Sequence, residues 1–230
     1  MVAEVLEMLK ELVKPGITTL VLDETAENAV VKQGAQPAFK GYSGYPYSLC
    51  CSVNDQVVHG MPCRRELQEG DILSIDFGVL HDGYYGDAAI TLPVGTISEK
   101  AAELIKVTEE SLYAAINAAT AANRLSDISH AVQSHVEAYG FSVVRDFVGH
   151  GIGKSLHESP QIPNFGPPCT GVKLKPGMVL AIEPMINEKG PDVKVLGDGW
   201  TAVTCDGGLS AHFEHTVAIT AHGAEILTLL

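Results

Sequence analysis

The chain has 230 residues, of which 46% are hydrophobic and 19% are charged, and its formal net charge is -13 at pH 7. This length and composition fit a compact soluble protein and argue against a disordered chain. The excess of acidic residues argues against a nucleic-acid-binding surface or contact with an anionic membrane, although bound divalent cations would neutralise part of that charge.

The cysteines and the N-terminal segment indicate the cellular compartment. The five cysteines are odd in number and form no CxxC pair, so neither a disulfide framework nor a structural zinc site is indicated. The first segment, MVAEVLEMLKELVKPG, mixes apolar residues with Glu and Lys at helical spacing and has no long apolar core. It is typical of neither a signal peptide nor a membrane span, and we expect a cytoplasmic protein without membrane contact.

The first half of the chain reads as helices followed by strands. One helix is predicted to end near Val13, before the Pro15-Gly16 break, and a second to run from about Asp23 to Gln33. Four β-rich segments separated by turn residues then extend to about Gly95. They are SLCCSVN, VVHG, ILSIDFGVL and YGDAAITL.

The second half repeats this order. A long helix is predicted to begin after Ser98, a plausible N-cap, and another to run from near Ser126 to Ala138, with Gly140 as its C-terminal signal. The strand segments that follow are FSVVRDFVG, MVLAIEPMIN, AHFEHTVAIT and AEILTLL. Helices and strands in this order predict an α/β protein of the α+β kind.

One predicted hairpin carries two carboxylates in its strands. Asp82-Gly83 is a strong type I′ turn signal, and with that pair at the tip Asp76 lies opposite Ala89. Asp87 then becomes a diagonal neighbour of Asp76 on the same face. Two half-buried carboxylates this close repel each other, and a metal ion is the simplest remedy. The alternative is an edge hairpin on which both side chains face water.

A short internal repeat strengthens the metal hypothesis. GDILSID, which ends at Asp76, aligns with GMVLAIE, which ends at Glu183, and each half has a second acid on a later strand, Asp87 and Glu214. We therefore predict one domain, residues 1–230, whose halves, about 1–95 and 96–230, are related by a pseudo-twofold axis. Four carboxylates would then meet in one central crevice.

The histidines bear on which metal would fit. Carboxylates alone would suit magnesium or calcium, but His150 and His157 lie in the glycine-dense segment VGHGIGKSLHESP. This segment matches neither a Walker A loop nor GxGxxG, so phosphate binding is not indicated. One imidazole added to four carboxylates suits manganese, iron(II) or cobalt, with zinc also possible. The site is large enough for two ions, which could activate a water and polarise a carbonyl.

Several histidines also have ordinary explanations when each is considered alone. His59 could be a loop histidine, and His157 could cap a helix or bond to the backbone. His212 and His215 flank Glu214 and could simply be exposed to solvent.

The motifs taken together resemble those of type I methionine aminopeptidases. The resemblance rests, in order and spacing, on GYSGYPYSLCCSVNDQVVHGMP, GDILSIDFGVLHDGYYGD, GHGIGKSLHESP, LKPGMVLAIEPM and SAHFEHTVAIT. It implies the pita-bread fold, in which two pseudo-twofold halves of antiparallel sheet are flanked by helices, and a dinuclear metal centre. The implied metal ligands are Asp76, Asp87, His150, Glu183 and Glu214.

The resemblance also implies roles at the metals and around them. His150 and Glu183 would hold one ion and Asp76 the other, with Asp87 and Glu214 bridging the two. Glu183 would also assist proton transfer, while His59 and His157 would contact the substrate. The methionine pocket would be formed around Tyr42, Tyr45, Cys50 and Trp200.

The implied function is removal of the initiator methionine from nascent proteins and peptides, with preference for a small second residue. Its partners would be nascent polypeptide N-termini at the ribosome, without nucleic-acid binding, and we expect a monomer. Two alternatives stay open. One is an Xaa-Pro aminopeptidase or creatinase-like hydrolase of the same fold, and the other is a catalytically inactive binding module.

Overall fold

The computed structural model describes residues 1–229 and contains two pairs of helices. The first pair is α1 (Val2–Leu12) and α2 (Thr19–Lys32), and the second is α3 (Glu99–Ala118) and α4 (Leu125–Glu137). Within residues 1–229, no helix combines the length and the apolar character needed to cross a membrane.

The helix ends follow their capping residues. The second helix begins at Thr19 rather than near Asp23, because the Thr18 side chain accepts a hydrogen bond from the Val21 N–H and caps it there. Ser98 is confirmed as the cap of α3, since its hydroxyl accepts from the Ala101 N–H at 3.1 Å.

Residues 1–229 form fifteen strands, and all the strand pairs among them are antiparallel. They are β1 (Gln36–Pro37), β2 (Cys50–Val53), β3 (Gln56–Val58), β4 (Ile72–His81), β5 (Tyr84–Pro93), β6 (Ser142–Val143), β7 (Gly149–Gly151), β8 (Glu158–Ile162), β9 (Val179–Ile182), β10 (Met185–Asn187), β11 (Val193–Val195), β12 (Ala202–Thr204), β13 (Ser210–His212), β14 (Glu214–Thr220) and β15 (Gly223–Ile226).

The predicted strand segments are present but more finely divided than expected. FSVVRDFVG contains β6 and only the first residue of β7, MVLAIEPMIN contains β9 and β10, and AHFEHTVAIT contains most of β13 and all of β14. The segment AEILTLL continues as a strand only to Ile226, and Leu230 lies outside the described residues. The short strands β1, β8, β11 and β12 were not predicted.

The main sheet is nearly symmetric in its strand order. Its path runs β1-β4-β5-β14-β9-β7-β8, with β2 added to β4 and β15 added to β14. The pair β4-β5 from the first half therefore meets the pair β14-β9 from the second half at the centre of the sheet. Two three-stranded sheets, β13-β10-β6 and β11-β12-β3, complete the structure.

The β4–β5 hairpin has the register predicted from its turn. Asp82 and Gly83 have φ angles of 48° and 80°, so both lie in the left-handed region that a type I′ turn requires. Asp76 pairs with Ala89 and Gly78 pairs with Asp87, which confirms that the two aspartates are diagonal neighbours.

The helices cover one face of the main sheet and leave the acids on the other. Leu9 and Leu22 of the first helix pair join Phe77 and Ala88 in one buried apolar cluster. An equivalent cluster joins α3 and α4 to β9 and β14. Because side chains alternate along a strand, Asp76 and Asp87, the neighbours of Phe77 and Ala88, point to the face opposite the helices.

Candidate metal centre and substrate cleft

A cleft of about 610 Å³ contains every residue that the sequence singled out for the site. The set comprises the expected metal ligands and the expected substrate contacts, which come from widely separated parts of the chain. These residues are Tyr42, Tyr45, Cys50, His59, Asp76, Asp87, His150, His157, Glu183, Trp200 and Glu214.

The sheet register explains why the carboxylates converge. Ala89 of β5 pairs with Asp76 on one neighbouring strand and with Glu214 on the other. Three strands thus place two acids in one row, with Asp87 two residues away on the same face. Glu183 follows the last residue of β9, which is the other neighbour of β14.

His150 reaches the carboxylates from β7, a strand that packs closely between β8 and β9. A Cβ on Gly149 would come within 2.5 Å of the Ala181 carbonyl oxygen, and one on Gly151 within 2.4 Å of the Ser159 carbonyl oxygen, so both positions require glycine. The His150 Nδ1–H can donate to the Gly151 carbonyl at 2.9 Å. This tautomer leaves Nε2, which lies 3.6 Å from Glu183 Oε1, free to bind a metal.

The donor atoms fit divalent cations. Two triplets, Asp87–His150–Glu214 and Glu183–His212–Glu214, each offer ligand atoms within 4.8 Å of one another. One oxygen each of Asp76, Asp87 and Glu214 is buried without a hydrogen-bond partner among residues 1–229. Orphaned oxygens of this kind are costly unless a cation binds them. The arrangement is therefore compatible with divalent ions held by carboxylate and imidazole ligands.

Burial determines the protonation of the carboxylate cluster. Desolvation raises the pKa of Asp76 to about 7 and that of Glu183 to about 8. Desolvation also raises the pKa values of Asp87 and Glu214 well above their ordinary range, and the neighbouring carboxylates raise them further. At neutral pH the cluster therefore retains protons that bound cations would displace.

The site histidines respond to burial in the opposite direction. Desolvation lowers the pKa of His150 and of His59 to about 4, so both imidazoles are neutral near pH 7. A neutral imidazole is the form that binds metal ions and accepts or donates single hydrogen bonds.

His212 is the functional candidate that the sequence analysis missed. The interpretation of His212 and His215 as exposed residues is wrong, because the former is 2% exposed and the latter is half-buried, with its Nδ1 2.9 Å from the Thr228 hydroxyl. The Nε2 atom of His212 lies 3.4 Å from Glu183 Oε2. The sequence did contain one indication of its role: His212 lies two residues before Glu214, a spacing that places both side chains on one face of a strand.

His157 directly precedes β8 and lines the cleft beside Tyr42. Its Nδ1 lies 2.7 Å from the Tyr42 hydroxyl, and its ring centroid lies 4.3 Å from that of His150. Tyr42 belongs to a single 3-10 turn, Tyr42–Gly44, in which Ser43 has a φ of 48°. The expectation that His157 could cap a helix is therefore wrong, since its partner is a tyrosine hydroxyl.

Aromatic side chains form the other end of the cleft. The Tyr45 hydroxyl donates to the Leu49 carbonyl at 2.9 Å. The Tyr45 ring packs edge-on against Trp200, with the ring centroids 5.0 Å apart. His59, with a φ of 59°, lies between Trp200 and Phe147. Cys50 is buried and pairs with Asp76 across β2 and β4. Other residues that line the cleft were not predicted from the sequence, among them Phe39, Phe147 and Met185.

Comparisons with a family model and with known proteins assign the chain to the same family. The model of "Metallopeptidase family M24" matches residues 1–221. The methionine aminopeptidase of Clostridium perfringens is 60% identical over 99% of this chain and 91% of the relative, and methionine aminopeptidase 1 of Bacillus subtilis is 57% identical over 96% and 90%.

Solved structures agree with this match. The crystal structure of the Thermotoga maritima methionine aminopeptidase superposes with a TM-score of 0.98 at 50% identity, over 100% of this chain and 92% of that one. Prolidase from Pyrococcus furiosus superposes with a TM-score of 0.77 at 24% identity, over 99% of this chain and 60% of the prolidase. This match shows a shared fold alone. The curled antiparallel sheet with four helices is thus the pita-bread fold, and the chain belongs to metallopeptidase family M24.

Proposed function

We propose that the chain acts as a methionine aminopeptidase, a metal-dependent hydrolase that removes N-terminal methionine from nascent proteins and peptides and prefers a small second residue. The observation that carries this proposal is the single cleft that joins a carboxylate–histidine cluster to an aromatic pocket. The high identity to methionine aminopeptidases over nearly the whole chain supports the same activity.

The carboxylate–histidine cluster would hold two divalent ions, for which manganese, iron(II) or cobalt fits the mixed oxygen and nitrogen donors and zinc remains an option. The proposed ligands are Asp76, Asp87, His150, Glu183 and Glu214. Bound ions would supply Lewis acidity, polarising the peptide carbonyl and lowering the pKa of a water molecule.

The chain's own side chains would carry the remaining chemistry. Glu183, a buried carboxyl beside the imidazoles of His150 and His212, accepts a proton from the attacking water and returns it to the leaving amine. His157 donates from Nε2 to the developing oxyanion while the Tyr42 hydroxyl holds Nδ1. His59 contacts the peptide group that is cleaved.

The aromatic end of the cleft would bind the methionine side chain. Tyr42, Tyr45, Cys50 and Trp200 present apolar and polarizable surface, which suits a flexible thioether. The carboxylate–histidine cluster borders the position of the second residue and leaves little space there, so small second residues are favoured.

A panel of peptides tests this proposal against the same-fold alternative. After chelation and reloading with Mn²⁺, the protein should release free methionine from Met-Ala peptides and little from Met-Trp peptides. Leu-Ala peptides serve as the control for the first residue. Equal turnover of Met-Ala and Met-Trp would contradict the proposed specificity, and preferential cleavage of Ala-Pro peptides would favour an Xaa-Pro aminopeptidase. Absence of any turnover by metal-loaded protein would favour a binding module.

We propose further that the protein works in the cytoplasm as a monomer on nascent chains at the ribosome. Its net charge of -13 fits a role without direct nucleic-acid binding. The sheet order, with β4-β5 beside β14-β9, supports one domain over residues 1–230 with halves at about 1–95 and 96–230. Sedimentation velocity tests the monomeric state, and a dimer would contradict it. Co-sedimentation with translating ribosomes tests the ribosome association, and a failure to co-sediment would contradict that.

A further inference from the structure

His212 lies beside the carboxylate cluster, but the proposed mechanism gives it no task. It ends β13, its side chain is 2% exposed, and its Nε2 has no hydrogen-bond partner among residues 1–229. A buried ring nitrogen without a partner is destabilising, because the water that it bonded in the unfolded chain is not replaced. Its placement therefore calls for a bound group.

The two imidazoles flank one carboxylate. His150 Nε2 lies 3.6 Å from Glu183 Oε1, and His212 Nε2 lies 3.4 Å from Glu183 Oε2. Ligands on one ion that are each about 2.0 to 2.2 Å from it stand roughly 3 to 4 Å apart. Each nitrogen therefore lies as far from a Glu183 oxygen as a second ligand on one ion would, and Glu183, His212 and Glu214 offer ligand atoms within 4.8 Å of one another.

The backbone of His212 is held in a fixed position. Its N–H donates to the Thr91 hydroxyl at 2.9 Å, and the Thr91 hydroxyl donates to the His212 carbonyl at 2.8 Å. Ser74 lies 2.8 Å from the same hydroxyl, and Met185 pairs with His212 across β10. These contacts fix the backbone position from which the His212 imidazole projects toward Glu183.

We infer that His212 is an additional protein ligand, bound through Nε2 to the ion that Glu183 and Glu214 hold. That ion would then carry two imidazoles, those of His150 and His212. This inference rests on the metal-dependent function proposed above. A second imidazole makes the donor set softer, so it should raise affinity for cobalt or zinc more than affinity for manganese.

The test counts histidine ligands and measures metal affinity without relying on turnover. Chelated protein is reloaded with Co²⁺, X-ray absorption gives the number of bound imidazoles per chain, and calorimetric titrations with Co²⁺ and Mn²⁺ give affinities. We expect two imidazoles in the unaltered protein and one in His212→Gln. The variant should bind Co²⁺ at least roughly tenfold more weakly, with a smaller loss for Mn²⁺. His222→Gln, at an exposed turn, is the matched control and should match the unaltered protein.

The outcomes separate this inference from the proposed function. A single imidazole per chain in the unaltered protein would overturn it without any variant, and so would unchanged Co²⁺ affinity in folded His212→Gln. In those cases His212 contacts only the substrate or Glu183 and binds no metal, and the proposed metal-dependent function is unaffected. If the unaltered protein takes up no divalent ion at all, the proposed function itself is wrong.

Discussion

At the scale of single residues, the contact between Tyr42 and His157 gives the sharpest prediction. The Tyr42 hydroxyl lies 2.7 Å from Nδ1, and when it donates to Nδ1 the ring keeps its proton on Nε2, the nitrogen proposed to contact the oxyanion. His157→Ala should therefore lower kcat by about 10²-fold, as for loss of a preorganised oxyanion donor, with metal content unchanged. Tyr42→Phe should cost roughly tenfold in kcat, the value of one hydrogen bond.

Steady-state kinetics with a Met-Ala peptide and metal analysis check this pair of variants. Tyr84→Phe, at the exposed end of the β4–β5 hairpin, is the control and should behave as the unaltered protein. Loss of bound metal in His157→Ala would make His157 a ligand. A Tyr42→Phe variant that changes KM with kcat intact would limit Tyr42 to the methionine pocket.

The site shows which residues a sequence can and cannot identify. Asp76 and Asp87 were predictable, because acids in strand interiors are unusual and the Asp82-Gly83 turn fixes their register locally. His212 was missed, because its burial depends on the packing of β13 against β10. The Tyr42–His157 contact joins residues far apart in the chain, and no local pattern reports such a contact.

At the scale of elements, the same distinction between local and tertiary causes holds. The N-cap of α3 at Ser98 was predictable, whereas α2 was predicted to start near Asp23. Asp23 is in fact buried in the helix, where its Oδ1 accepts from the Ser48 and Leu49 N–H groups at 2.8 Å each. From the sequence alone, an aspartate that makes such a tertiary contact cannot be distinguished from one that caps a helix.

The β4 strand also yields a prediction, because Gly78 faces Asp87 across the hairpin. A Cβ there would lie 2.8 Å from Phe39 Cε1, 2.9 Å from Ala38 Cβ and 3.2 Å from Asp87 Oδ1. Gly78→Ala should displace the Asp87 carboxylate and weaken metal binding by roughly 10-fold to 100-fold, as does disturbing the support of a ligand.

Calorimetric titration with Mn²⁺ measures this effect. Gly86→Ala is the matched control on the partner strand, since a Cβ there would meet Val2 Cγ2 at an ordinary 3.8 Å. Equal affinities for the two variants would show that β4 tolerates a side chain at this position without moving Asp87.

At the scale of the whole molecule, the carboxylate cluster makes stability depend on pH and metal. Asp76 has an ordinary pKa of 3.8 and a folded pKa of about 7, and Glu183 goes from 4.5 to about 8. A raised folded pKa contributes stability at low pH that is lost as pH rises through the folded value. His59 and His150 have folded pKa values of about 4, below their ordinary 6.5. They therefore change the stability only below about pH 6.5, where it falls as the pH falls.

Metal-free protein should therefore lose thermal stability from about pH 6.5, above which the histidines no longer contribute, to about pH 8, the folded pKa of Glu183, because over this range the folded carboxyls hold protons that the unfolded chain has already released. Protein loaded with Mn²⁺ should not lose stability there, because the ions bind the deprotonated carboxylates more tightly as pH rises. Calorimetric Tm values across this range, with and without metal, test the point. A metal-free Tm that rises over the same interval would contradict the buried carboxylate account.

The most direct test of the whole account is a Mn²⁺ titration of chelated protein in which bound ions per chain and methionine released from Met-Ala are measured together. We expect no release without metal, activity that rises as up to two ions bind, and loss of both ions and activity in Asp87→Asn. His150→Ala should chiefly empty one site. Methionine release by metal-free protein, or full binding of two ions by Asp87→Asn, would contradict it.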